Sequence, residues 1–224
     1  MSNVRILPDL EQGSEEWLAQ RCGMVTASVV GKLITPKTVK PAANPESRSL
    51  VLSLAAERIT GYVEPVYVNA DMERGQFDEP IARDWYAEHH APVTEVGFMI
   101  RDDFGFKLGY SPDGLVGDDG LIEIKSRRQK GQLVAHLDDA VPLENMAQLQ
   151  CGLLVSGRAW IDYVSWSGGM VPFVKRVFPD QKWFDAITEA VAQAEENIGV
   201  MVRTYGRITE GKEPAPRPAE EILI

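Results

Sequence analysis

Apolar positions along this chain change rhythm several times, and the changes outline its elements. SEEWLAQR places Ser14 at an N-cap position with two acids in the first turn, which predicts a helix. TASVVGKLI predicts a second helix, with Thr26 or Ser28 as its cap. TPKTVKPAANPES, residues 35–47, holds three prolines and two lysines and reads as a mobile loop. RSLVLSLAAERITG (48–61) spaces its apolar residues for one helix face and stops at Gly61, and DEPIARDWYAEHH (78–90) predicts a further helix. The period then shortens: VTEVGFMI, FKLGY and LIEIK are β-branched or aromatic segments between turn residues, predicting neighbouring strands. LENMAQLQCGLLVSG returns to helix, and AWIDYVSWS and PFVKRVF predict two strands either side of GGMVP. A long amphipathic helix over 181–208 precedes a proline-rich, acidic tail.

This order predicts an α/β fold, a central mixed sheet flanked by helices. A chain of 224 residues fits one domain, 1–210, with the tail over 211–224. Apolar residues at 44% and charged residues at 25% are those of a soluble globular protein. No apolar run approaches the roughly 20 residues of a membrane helix, and the N-terminus lacks a secretory pattern, so the expectation is a cytoplasmic protein with no membrane partner.

Charge and cysteine content narrow the chemistry. Cys22 and Cys151 are too few for a four-thiolate cluster, and they imply no disulfide. The adjacent His89 and His90 face different ways on a helix, and with His136 they make no zinc site. A formal charge of −10 argues against indiscriminate nucleic-acid binding, but not against a channel. Acids grouped round divalent cations would also add to that negative total.

The segment GYSPDGLVGDDGLIEIKSR (109–127) is where these constraints meet. In LIEIK the strand period puts Glu123 and Lys125 on one face, with Ile122 and Ile124 toward the core. Asp113 lies ten residues before Glu123, so a hairpin through GLVGDDG would bring the two carboxylates together. Two adjacent acids call for a divalent counterion, and hard oxygen ligands suit magnesium or manganese. Lys125 adds a donor that could hold or deprotonate a nucleophilic water, which makes a site for attacking a phosphodiester. SPDG alone is an ordinary turn and E-x-K alone is common, so the pattern gains weight only from its surroundings.

Those surroundings resemble the phage lambda exonuclease family of viral recombination nucleases, within the PD-(D/E)xK superfamily. The resemblance is carried, in order, by GSEEWLAQRCGMVTAS (13–28), RGQFDEPIARDWY (74–86), SPDGLVGDDGLIEIK (111–125) and ENMAQLQCGLLVSG (144–157). It implies that Asp113, Glu123 and the Ile124 carbonyl are metal ligands, that Lys125 is the catalytic lysine, and that Glu79 serves a second metal position. It implies also that Arg21, Thr26 and Ser28 form a pocket for the 5′-phosphate, chemistry that suits a guanidinium and hydroxyls, and that Gln148 lies near metal and phosphate while Gln150 points elsewhere. Trp17 falls at a family tryptophan and reads as core.

The remaining family properties are implications as well. They are a homotrimeric ring threading duplex DNA with 5′-phosphorylated ends, 5′-to-3′ digestion of one strand to mononucleotides, a 3′ overhang, two Mg2+ ions per site and a single-strand annealing partner. Lys32, Lys37, Lys40, Arg127, Arg128 and Lys130 would line the bore, and Met72 is a candidate strand-parting wedge. The alternatives are another PD-(D/E)xK endonuclease or repair nuclease, or an inactive DNA-end-binding protein.

Overall fold

The computed structural model describes residues 4–65 and 67–217. The tail is therefore described only to Arg217, and the part over 218–224 lies outside the described residues.

Local capping sets most helix starts. Helix α1 (Glu15–Arg21) begins where the Ser14 hydroxyl accepts from the Trp17 amide, as its sequence predicts. Strand β2 (Val25–Thr26) leads into α2 (Ala27–Val30), but Thr26 makes no capping bond there; its hydroxyl accepts from Arg21 instead. The predicted loop contains a two-stranded hairpin, β3 (Ile34–Thr35) against β4 (Lys40–Pro41). Its last residues already belong to α3 (Pro45–Thr60), which an Asn44–Ser47 capping box starts and a left-handed Gly61 ends.

Helix α4 (Ala70–His89) starts well before Asp78, because the Asn69 side chain accepts from the amides of Asp71 and Met72. Pro80 and Gly75 had masked that extension. The last long helix, α7 (Gln181–Ile208), has the span its amphipathic pattern predicts.

The fold is α/β, as expected, but besides the β3–β4 hairpin its strands form two ladders rather than one central sheet. One runs β1 (Val4–Leu7), β6 (Phe98–Arg101), β7 (Leu108–Tyr110), β2; the other runs β11 (Phe173–Val177), β10 (Trp160–Trp166), β9 (Gly120–Ser126), β8 (Gly114–Val116), β5 (Val93–Thr94). The segment read as one strand, VTEVGFMI, is divided between the two ladders. Gly97 marks the division: its amide donates to the Pro8 carbonyl, and a Cβ there would meet the Leu10 carbonyl oxygen at 2.1 Å, so only glycine admits the crossing chain.

Both faces of β9 are covered. Ile122 and Ile124 pack with Ala82 and Tyr86 of α4, while Leu121 on the opposite face joins the main core with Leu149 and Leu153 of α6 (Leu143–Ser156). A further helix, α5 (Gln129–Asp138), fills a stretch for which the pattern gave no element. The consequence for chemistry lies between β7 and β8. The chain leaves one ladder after Tyr110, turns through Ser111-Pro112-Asp113, and enters the other at Gly114.

Candidate active site

Register alone carries Asp113 to its partners. Gly114 pairs with Ile122 in the β8–β9 ladder, so Asp113 sits one step past the paired strand, beside the continuing edge of β9. There its Oδ2 accepts from the Ile124 amide at 2.6 Å. Glu123 projects from the α6 side of β9 and is 1% exposed.

A buried carboxylate needs donors, and Glu123 has three. Lys125 Nζ reaches Oε1 at 2.7 Å, Gln148 Nε2 from α6 reaches the same oxygen, and the fully buried Tyr110 hydroxyl donates to Oε2 at 3.1 Å. The structure thus brings Asp113, Glu123, Lys125 and Gln148 together. Gln150 points away, donating to the Phe178 carbonyl and accepting from the Asp180 amide.

Glu79 on α4 is half-buried, and its Oε1 accepts from Arg83 one turn later. Its carboxyl is raised above the ordinary range by burial first, with Arg83 opposing and Glu123 adding repulsion. Asp113 is raised well above its ordinary value, by burial and then by the negative charges of Glu123 and Glu79. Lys125 is pushed down by burial but up by Glu123 and Asp113, and the net direction is upward, so it is held as a cation.

Among the described residues, no group of three His, Cys, Asp or Glu forms a ready metal cage. Magnesium does not require one; it is commonly held by one or two carboxylates together with substrate phosphates and water. The donor set fits that mode. Asp113 and Glu123 are hard oxygen donors whose mutual repulsion, seen in the raised Asp113 carboxyl, a divalent ion would relieve.

The same repulsion makes stability depend on pH. A carboxyl raised in the folded chain keeps its proton there longer than in the unfolded one. Its stabilising effect is complete below the unfolded pKa of about 4 and is lost as pH rises through the folded value. Without divalent ions, the melting temperature is therefore expected to fall on going from pH 5 to pH 8. Magnesium at a hundredfold excess over its Kd adds about 2.7 kcal/mol, or roughly 5–10 °C for a domain of this size. The rise should be larger at pH 8 than at pH 5, and an equal rise at both would refute the acid cluster as the binding site.

A second cluster lies beside the turn. Arg21 donates to the hydroxyls of Thr26 at 3.3 Å and Ser28 at 3.1 Å, and those two hydroxyls are 3.0 Å apart. Burial pushes the Arg21 pKa down to about 10 against an upward pull from Glu57, so it remains charged at neutral pH. Trp17, read as core, is half-buried: its ring lies 3.8 Å under the Arg21 guanidinium, and its Nε1 donates to Ser111 Oγ at 2.9 Å. The two clusters are therefore joined through one indole. The spacing of Trp17 and Arg21, four apart on a helix, was the available signal.

Other candidates have more ordinary surroundings. Arg127 is half-buried and clips β9 to Glu144, Asn145 and the Tyr163 hydroxyl. Arg128 pairs with Asp71 on α4, while Lys32, Lys37, Lys40 and Lys130 are exposed. Met72 lies exposed in the first turn of α4. His89 stacks on Trp85, His90 stacks on Tyr86, and His136 meets the Val171 carbonyl. Both cysteines are free, and no helix among the described residues is long and apolar enough to cross a membrane.

Comparison with known proteins places the family and the fold. Residues 16–159 match the YqaJ-like viral recombinase domain. Among solved structures, the chain is similar to the alkaline exonuclease LHK-Exo from Laribacter hongkongensis, with a TM-score of 0.74 and 31% identity over 87% of this chain and 100% of that one. The same exonuclease in complex with dAMP gives a TM-score of 0.73 at 31% identity, over 87% of this chain and 100% of that one. A phage related exonuclease from Haemophilus somnus 129PT shares the fold, with a TM-score of 0.62 at 15% identity over 81% of this chain and 96% of that one. No curated protein sequence matches the chain.

Proposed function

Since the chain belongs to the YqaJ-like viral recombinase family and is related to alkaline exonucleases, we propose that it is a metal-dependent 5′-to-3′ exonuclease acting on linear duplex DNA. One observation carries the reading: Lys125 and Gln148 converge on a single oxygen of the buried Glu123, beside a turn acid and the cluster of Arg21 with two hydroxyls.

In this reading Asp113, Glu123 and the Ile124 carbonyl hold one Mg2+ or Mn2+ ion, and Glu79 serves a second. Bound there, the metal supplies Lewis-acid stabilisation of charge on the phosphate oxygens. The chain's own groups do the rest. Lys125, fixed by Glu123, orients a water for attack on phosphorus. Gln148 braces Glu123 and faces the phosphate. Arg21, Thr26 and Ser28 bind the terminal 5′-phosphate with charge-assisted hydrogen bonds. Water oxygen bonds to phosphorus as the bond from phosphorus to the 3′ oxygen breaks, and that oxygen takes a proton. The product is a 5′-mononucleotide, in keeping with the dAMP complex of the Laribacter enzyme. The strand left behind again begins with a 5′-phosphate, so every cut regenerates the group the pocket recognises.

A homotrimeric ring and a single-strand annealing partner for the 3′ overhang complete the proposal. Digestion of end-labelled linear duplex tests it, comparing 5′-phosphate with 5′-hydroxyl ends and magnesium with calcium. The expected result is mononucleotide release from phosphorylated ends with magnesium only. Cutting of closed circular DNA, or equal rates at both ends, would overturn it in favour of an endonuclease.

A further inference from the structure

We infer that Arg83 is a positioning residue that fixes Glu79 relative to the Asp113 turn, and thereby sets how tightly the acid cluster holds a divalent cation. The inference rests on the nuclease reading above and concerns a residue that the sequence motifs leave without a role. The Arg83 side chain is only 14% exposed, and all three guanidinium nitrogens are engaged. Nε donates to the main-chain carbonyl of Asp113 at 2.7 Å, Nη2 donates to Glu79 Oε1, and Nη1 pairs with Glu95 Oε2 at 2.8 Å.

These bonds differ in weight. Glu95 is 72% exposed, so its pair is solvated and contributes little. The Glu79 pair alone would be a routine contact between residues four apart on a helix, of small effect when exposed. The added bond to the Asp113 carbonyl changes its meaning. One rigid, planar group now spans α4 and the crossover turn, and it joins an acid on the first to the backbone of an acid on the second.

Lysine cannot reproduce this. Its ammonium is a point charge on a flexible stem, whereas the guanidinium fork holds two acceptors at a set separation. Arg83→Lys therefore keeps the charge and removes the geometry. Partners that orient metal ligands typically contribute about 10- to 100-fold in metal affinity or activity. Arg83 acts through those ligands rather than on the substrate.

The test uses the full chain and two readouts: calorimetric binding of Ca2+, and the Mg2+ dependence of hydrolysis of a 5′-phosphorylated duplex. Arg83→Lys is expected to raise both the Ca2+ Kd and the half-saturating Mg2+ concentration about tenfold. With saturating Mg2+, kcat should remain within about threefold of wild type. In a Glu79→Gln background the same change should add less than about threefold, because two groups acting through one contact are not additive. A purely structural role would lower the melting temperature and leave metal dependence unmoved.

Unchanged Ca2+ affinity in a folded Arg83→Lys chain, with wild type active, would overturn the inference. So would a full tenfold effect in the Glu79→Gln background. Should the lysine variant fail to fold, Arg83→Gln replaces it, with the same expected and overturning results for metal affinity. A wild-type chain that neither binds Ca2+ nor cleaves DNA would overturn the nuclease reading itself, and this inference with it.

Discussion

Replacing Lys125 with alanine is expected to lower the rate of nucleotide release about a thousandfold while leaving duplex binding in place. Removing one preorganised donor aimed at the reacting group costs roughly 10²–10³-fold, and Lys125 is the cation held against Glu123 at 2.7 Å with 27% of its side chain open to solvent. The open part is what a water or phosphate would meet. Glu123 keeps two donors in the variant, Gln148 and Tyr110, so the buried carboxylate is not abandoned and the fold should survive. Single-turnover digestion under saturating magnesium separates chemistry from binding. Glu123→Ala should depress both metal affinity and rate, since it removes a ligand and the lysine's anchor together. Wild-type rates in Lys125→Ala would sink the assignment of this cluster.

Arg21→Ala should abolish most of the preference for a phosphorylated end, by roughly 10- to 100-fold, with much less effect on 5′-hydroxyl substrates. A charged hydrogen-bonding group is worth about 1.5–3 kcal/mol, and the Arg21 guanidinium is aimed by two hydroxyls and by the face of Trp17. The ratio of kcat/KM for the two ends is the measurement, because a general loss of folding would lower both equally. Trp17→Phe keeps a ring under Arg21 but loses the bond to Ser111. Comparing that ratio in the two variants shows whether the pocket acts by itself or with the turn.

The site was legible where its chemistry followed from local period and register. Alternation along LIEIK put Glu123 and Lys125 on one face, and the hairpin spacing carried Asp113 to the same edge. The helices over 143–157 and 181–208 were equally plain, the second from the one apolar stripe it buries and the first from a largely apolar run buried on every side from Leu149 to Val155. What escaped depended on distant chain. Alternation set Glu123 opposite Ile122 and Ile124 without showing what lies over it; α6 covers that face, and burial there required Tyr110 and Gln148 as donors. Arg83 drew no reading from the sequence, because its decisive acceptor, the Asp113 carbonyl, lies 30 residues away. The division of VTEVGFMI between two ladders turned on the approach of residues 8–10 to Gly97, which no local pattern encodes. Thr26 was a plausible cap by every local rule, and a neighbouring guanidinium claimed its hydroxyl instead.

The short passage from β7 to β8 through Ser111-Pro112-Asp113 ties assembly to reactivity. Each end of that passage is anchored in a different ladder: the five-stranded one sets Asp113 beside Glu123 and Lys125, and the four-stranded one brings the Tyr110 hydroxyl to Glu123. The finished cluster is thus a property of the joint between the ladders rather than of either one.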